Sequence, residues 1–149
     1  TPNHYVKRIS FEKMNSLKEN TSSSIILTAD TIAFRGRRLI DKTDKSEIAI
    51  QNLNFLSGKR HKVITSLCVL DKDKNLITKS VLSTILMKRL SKNEIDQYIA
   101  SNEWLNVAGS YRIQGQAESF IKFISGSYSN IVGLPLYETR NILKSVGAI

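Results

Sequence analysis

The chain has 149 residues, 41% of them hydrophobic and 23% charged, the make-up of a folded domain with its own core; a disordered or low-complexity chain is excluded. The net charge of +9, from 22 basic and 13 acidic residues, draws anionic partners: nucleic acid, an acidic surface or a phosphorylated small molecule. One cysteine rules out an intrachain disulfide, and no apolar run approaches the roughly 18 residues a membrane helix needs.

In chain order, a helix is expected from the start to about residue 18, with Val6, Ile9 and Leu17 marking one side. Lys13 lies four residues from both Ile9 and Leu17, so it shares their face or its edge. Its ammonium either snorkels to solvent or points at something in the interior. A polar loop follows at 20–24, then a buried strand over 24–29 that Asp30 ends. Residues 31–34 continue extended, Arg35-Gly36-Arg37 reads as a tight basic turn, and Leu39 and Ile40 form a short return strand. Asp44 and Glu47 fit a capping box. Ile48, Ala49, Leu53 and Leu56 then keep helical spacing until Gly58 stops the helix.

Two long strands are expected at about 62–70 and 76–87, joined by the polar hairpin turn 71–75. Cys68 lies in the first of them as a core residue. Ser91 and Glu94 make a second capping box for a helix to about residue 100. A loop bearing Glu103, Trp104 and Leu105 leads into "AGSYRIQG", Ala108 to Gly115. A strand is expected at 118–124 and a turn region at 126–133. Pro135 stands near the start of a last helix that reaches about residue 146 and ends at Gly147. The order of elements is mixed α/β.

Several residues are candidates for chemistry. Asp30, a carboxylate at a strand end, would open on a ligand crevice, to hold Mg²⁺ or polarise a water, or would simply cap a turn. If Tyr111 to Gln114 is extended, Arg112 and Gln114 share one face while Tyr111 and Ile113 share the other. Glutamine offers both a donor and an acceptor, suited to a base edge or a phosphate oxygen. Lys42 supplies a point charge for phosphate, and His61 reads as a half-exposed structural histidine. Zinc is not expected, because two histidines and one cysteine show no ligand spacing. There is no Walker-type loop, dinucleotide fingerprint or nucleophile elbow. "SGKRHK" is basic but lacks the interleaved aromatics of a single-strand binder.

Four stretches, "LTADTIAF", "LSGKRHKVITS", "AGSYRIQG" and "GSYSNIVGLPLYET", resemble in order and spacing the Maf-like nucleoside triphosphate pyrophosphatases. The resemblance implies an α/β fold with a mixed sheet, flanking helices and two lobes around a nucleotide cleft. It implies hydrolysis of a nucleoside triphosphate between the α and β phosphates, with Mg²⁺ or Mn²⁺. "YRIQG" followed by "GSYSNIVGLPL" resembles the branch acting on dTTP and UTP. By the same resemblance Asp30 is the catalytic acidic residue, acting on water or metal. Lys13, Lys42, Glu103 and Gln114 are substrate-binding, and Arg112 joins them as a nearby cation. The resemblance implies a pairwise assembly, a homodimer; a cytoplasmic setting with no membrane contact is expected, and nucleic acid is the less expected partner.

Two departures stand out. The family begins with a short strand and a serine, proline and arginine loop that grips phosphates, so residues 1–149 are expected to be a single Maf-like domain lacking that segment. The family also has a lysine directly before "AG", where this chain has Val107. Three functions follow as expectations: a nucleotide pyrophosphatase, a nucleotide binder without turnover, and a nucleic-acid binder, which would need a continuous basic stripe outside the cleft.

Overall fold

The computed structural model describes residues 1–18 and 24–149; the loop expected at 20–24 lies, apart from Ser24, outside them. Helix α1, Pro2–Lys18, opens with proline at its first position, where a missing N–H costs nothing. Its seam differs from the expected one. Val6, Ser10 and Met14 are buried, whereas Leu17 is 45% exposed. The reason is polar pairing beneath the helix, which an apolar count cannot see. Ser10 Oγ donates to Ser66 Oγ at 3.0 Å and lies 3.3 Å from Cys68 Sγ. Thr28 Oγ1 donates to the Ser10 carbonyl at 2.9 Å.

Strand β1, Ile26–Arg35, turns through Gly36 and Arg37 into the three-residue strand β2, Arg38–Ile40. Gly36 takes φ +62, as the first central position of a two-residue hairpin requires. Helix α2, Ser46–Leu56, begins after Lys45 with no side-chain cap, so Asp44 is not the cap expected of it. Thr43 Oγ1 instead accepts the Lys45 N–H at 3.1 Å. Strands β3, Arg60–Leu70, and β4, Leu76–Met87, match the expected hairpin. Helix α3, Lys92–Ala100, has the reciprocal Ser91–Glu94 capping box.

Beyond it, residues Gln116–Phe120 form a 3₁₀ turn, and only Ile121–Ser125 is strand, β5. The expected turn region at 126–133 contains a short helix, α4, Tyr128–Val132, with the Ser127 hydroxyl accepting the Asn130 N–H. Helix α5, Leu136–Ser145, follows Pro135.

The sheet runs β2-β1-β3-β4-β5. The α/β architecture with flanking helices is as expected, but the sheet is antiparallel where a mixed one was expected: all four described pairings are antiparallel. Tight hairpins join β1 to β2 and β3 to β4, and a parallel pair would need a long crossover. Alternation along each strand divides the core into two layers. Ile26, Ile32, Ile64, Cys68 and Leu70 meet Val6 and Met14 of α1. Ala33, Val63 and Ile85 meet Leu53 and Leu56 of α2 and Ile95 and Tyr98 of α3. With both faces covered, β3 is buried throughout Val63 to Leu70.

A polar post ties the α4 segment to the sheet. Asn130, fully buried, donates from Nδ2 to the Val63 carbonyl at 3.2 Å and to Ser83 Oγ at 2.9 Å. Its carbonyl accepts from Thr65 Oγ1 at 3.1 Å. Asn130→Ala leaves two buried acceptors without this donor, a loss of about 1–3 kcal/mol. Thermal denaturation followed by circular dichroism should show a melting temperature lower by roughly 4–8 °C for about 2 kcal/mol.

Candidate functional site

Strand β2 covers β1 only along Ala33 to Arg35. From Ile26 to Ile32 that edge of β1 carries no strand among the described residues. A cleft of about 260 Å³ opens there, with Ala29, Asp30 and Thr31 as its floor. Lys13 stands on one wall, Lys42 on another, and Asn106 to Ala108, Tyr111 to Gln114 and Ile131 to Gly133 close the rest. An adjoining hollow of about 270 Å³ shares Asp30, Thr31, Lys42 and Ala108 and continues past Asp41 to Tyr5 and Ile9.

Five of the six expected site residues therefore meet: Lys13, Asp30, Lys42, Arg112 and Gln114. Glu103 is outside the lining. Its carboxylate accepts the Gln116 N–H at 2.9 Å and presses on Gly115, where a Cβ would lie 2.3 Å from Oε2. It thus braces the turn that carries Gln114.

Asp30 does not end its strand, as the apolar run before it suggested. It sits mid-strand, opposite Ser66. Its face is the α1 face, and Lys13 Nζ forms an ion pair with its carboxylate. The same ammonium donates to the Ala29 carbonyl at 3.3 Å. The Asp30 side chain is 11% exposed and the Lys13 side chain 47%; a carboxylate that enclosed needs such a partner. Three cations against one carboxylate line the main cleft, so its balance favours a multiply charged anion. Among the described residues no three His, Cys, Asp or Glu side chains gather as a metal cluster.

The segment with Arg112 and Gln114 is bent, not a strand. Ala108–Ser110 is a 3₁₀ turn, and Asn106, Gly109 and Ser110 take φ of +53, +79 and +61. At Gly109 a Cβ would come within 3.2 Å of Ala33 Cβ and the Tyr111 ring, so glycine suits both the conformation and the tight space. Beyond the turn Tyr111 is extended, and burial alternates as expected: Tyr111 and Ile113 inward, Arg112 and Gln114 outward.

Three side chains from elsewhere hold this bend. Asn52 donates to Ser110 Oγ at 2.9 Å. The Tyr98 hydroxyl accepts the Arg112 N–H at 3.0 Å. His61 Nε2 and the Tyr111 hydroxyl share a 2.6 Å hydrogen bond. His61 is buried, 1% exposed, and not the half-exposed residue its basic neighbours suggested; alternation turns it inward between exposed Arg60 and Lys62. Burial lowers its pKa to about 4, raises that of Tyr98 to about 12 and raises that of Tyr111. Sequence reasoning took His61 as structural but missed its burial and its partner; it missed Asn52 and Tyr98, and also Thr31, which shares a 2.7 Å hydrogen bond with Thr65 and donates to the Gly133 carbonyl at 3.3 Å. Nothing local in the sequence marks such long-range pairs. Asn106 carried a usable signal, since asparagine visits left-handed backbone more readily than other non-glycine residues.

The buried imidazole gives a pH signature. Above about pH 7 the ring is neutral in both folded and unfolded chains and contributes no difference. Below its unfolded value of 6.5 the unfolded chain takes up a proton that the folded chain refuses until about pH 4. Stability should therefore fall with acidification across that window, by up to about 1.4 kcal/mol per pH unit. In urea denaturation His61→Gln should be less stable at pH 7.5, having lost the imidazole bond to Tyr111, yet show a flatter decline between pH 6.5 and 4.

Known proteins place this geometry in a family. The family model described as "Maf-like protein" matches residues 1–146. A protein of Neorickettsia sennetsu named nucleoside triphosphate pyrophosphatase is 44% identical over 146 residues, 98% of this chain and 70% of its own length. Proteins of Zymomonas mobilis and Rhodospirillum rubrum, both named dTTP/UTP pyrophosphatase, are 42% and 39% identical over 98% of this chain, which spans 72% and 70% of their lengths. With almost its whole length matched by the family model and by relatives of this similarity, the chain belongs to the Maf-like family.

Proposed function

We propose that this chain hydrolyses a nucleoside triphosphate, dTTP or UTP, at the α–β phosphate linkage, releasing nucleoside monophosphate and pyrophosphate. The observation that carries this reading is the meeting of Lys13, Asp30, Lys42, Arg112 and Gln114 on one cleft. The names of the relatives point to the same chemistry and, for two of them, to the pyrimidine substrates.

In this reading Lys13, Lys42 and Arg112 bind the phosphates and offset the charge that grows on them during in-line attack. Asp30 orients the attacking water and takes its proton. Gln114 is placed at the outer wall to meet a phosphate oxygen or a base edge. Glu103 acts through the turn it braces. A divalent ion, Mg²⁺ or Mn²⁺, fits the donor set: Mg²⁺ commonly uses one or two protein carboxylates and completes its shell with substrate phosphates and water. Asp30 would hold it, with Asp41 in the adjoining hollow; bound there, it would supply Lewis-acid stabilisation of the phosphates. The working setting we propose is cytoplasmic and, by family likeness, homodimeric. Among the described residues no helix is long and apolar enough to cross a membrane.

Val107 supports a second reading, binding without turnover. It lines the cleft at the position where the resemblance implies a lysine. Pyrophosphate release from dTTP, UTP, ATP and GTP with Mg²⁺ separates the readings. Asp30→Asn keeps the shape and removes the charge, and should lower kcat by about 10²–10⁴-fold, the range for loss of a general base. A parent chain that binds dTTP calorimetrically but releases no pyrophosphate would favour the second reading. Loss of both binding and release would defeat both.

A further inference from the structure

The cations of "FRGRR" and "SGKRHK" are not used by the cleft. The antiparallel sheet gathers them at one end. Arg37 leads into Arg38 at the start of β2, Arg35 closes β1, Lys59 leads into Arg60 at the start of β3, and Arg89 follows β4. These strands are neighbours in the order β2-β1-β3-β4, so the row crosses three inter-strand spacings, about 14 Å. Gly58 closes the far side: its N–H donates to the Lys88 carbonyl, and its backbone packs on Arg89. Arg37, Arg38, Lys59, Arg60, Lys62 and Arg89 are all exposed. None of them takes part in an ion pair among the described residues.

The row is also shaped. Arg35 and Arg38 stack on the Phe55 ring at 4.4 and 4.3 Å, and Arg35 Nη1 donates to the Phe55 carbonyl at 2.9 Å. Guanidinium groups held on a ring lose less freedom when they meet an anion. A hollow of about 190 Å³ lies between Arg35, Arg60 and Lys62, large enough for one phosphate group. The row begins five residues along β1 from Asp30, about 17 Å away, so it is no extension of the cleft.

We propose that this end of the sheet binds the phosphate backbone of a nucleic-acid duplex, without reading base sequence. Like-charged side chains gathered at one rim, with no ion pair to any of them among the described residues, repel one another unless an anion answers them. A row of successive cations fits a regular chain of phosphates better than one small anion. Phe55 is covered by the two guanidinium groups, so base stacking is not what the surface offers, and contacts to phosphate carry no sequence information.

The test is fluorescence anisotropy with a labelled 20-base-pair DNA duplex, titrated over a range of salt concentrations. The parent chain should bind, with log K falling against log salt at a slope of about −3, as for three to four phosphates. The triple variant Arg37→Ala, Lys59→Ala, Arg60→Ala should lose at least about tenfold in affinity and flatten the slope by about one for each lost contact. A charge-matched control, Lys72→Ala, Lys79→Ala, Lys144→Ala, alters exposed lysines elsewhere and should change affinity less than about twofold. All these substitutions are at exposed positions, and circular dichroism melts verify folding. Equal losses in the two variants would overturn the proposal in favour of undirected net charge. So would absence of duplex binding at 50 mM salt (a salt level at the low end of such titrations), displacement of the duplex by dTTP, or binding to phosphatidylserine vesicles without binding to the duplex.

Discussion

The ion pair between Asp30 and Lys13 is the constraint on which the site depends. A carboxylate in the middle of a buried-edge strand is costly unless its charge is answered, and here the answer comes from the first helix. This contact ties the register of α1 to that of β1. Ser10, one turn earlier, fits against Ser66 and Cys68, and Met14, one residue later, fills the apolar layer with Ile26. One helical face thus serves as both core and cleft wall. Sliding α1 by a turn would unpair Asp30 and bury the lysine stem where Ser10 now fits.

The opposite wall solves a different problem. The bend at 106–115 has no strand partner to hold its backbone, and several of its residues adopt left-handed conformations. Such backbone persists only when its surroundings over-determine it. Asn52, Tyr98 and His61 supply that determination from α2, α3 and β3, and Glu103 braces the exit of the turn. Their cost is burial of polar groups. His61 Nδ1 and Asn130 Oδ1 have no partner among the described residues. A neutral imidazole tolerates this far better than a charged one, consistent with the low pKa that burial imposes. Rigidity at Arg112 and Gln114 is thus obtained from a polar network, not from secondary structure.

Elements that rest on local chemistry were legible in the sequence. The Ser91–Glu94 capping box, the hairpin around 71–75 and the glycine turn at 36 all follow from rules spanning a few residues. Burial alternation through Tyr111 to Gln114 was also legible. What failed had long-range causes. Asp30 looked like a strand end because its ion-pair partner lies on another element. His61 looked half exposed because its tyrosine is fifty residues away. Asp44 is the local exception: it looked like a cap through its spacing to Glu47, but the adjacent Thr43 accepts the Lys45 N–H instead. Helix α4 was hidden in a polar stretch whose organiser, Asn130, pairs with β3 and β4. The site residues could be named individually, but their meeting depends on β2 being too short to close the edge of β1.

Net charge blurred two separate arrangements. In the cleft, cations face a carboxylate, and one is already paired with it; a ligand entering there must exchange partners as well as find them. At the end of the sheet the exposed cations form no ion pair among the described residues, and two guanidinium groups lie over the Phe55 ring. Under the proposed function, the first arrangement would select anions by shape and by competition with Asp30. The second responds mainly to charge density, with Phe55 fixing two of its guanidinium groups. A single +9 total cannot distinguish these. The antiparallel order does, since it sends the ends of β1 and β4 and the starts of β2 and β3 to one rim while leaving Asp30 in the middle of its strand. The same topology that opens the cleft therefore collects Arg35, Arg37, Arg38, Arg60 and Arg89 away from it.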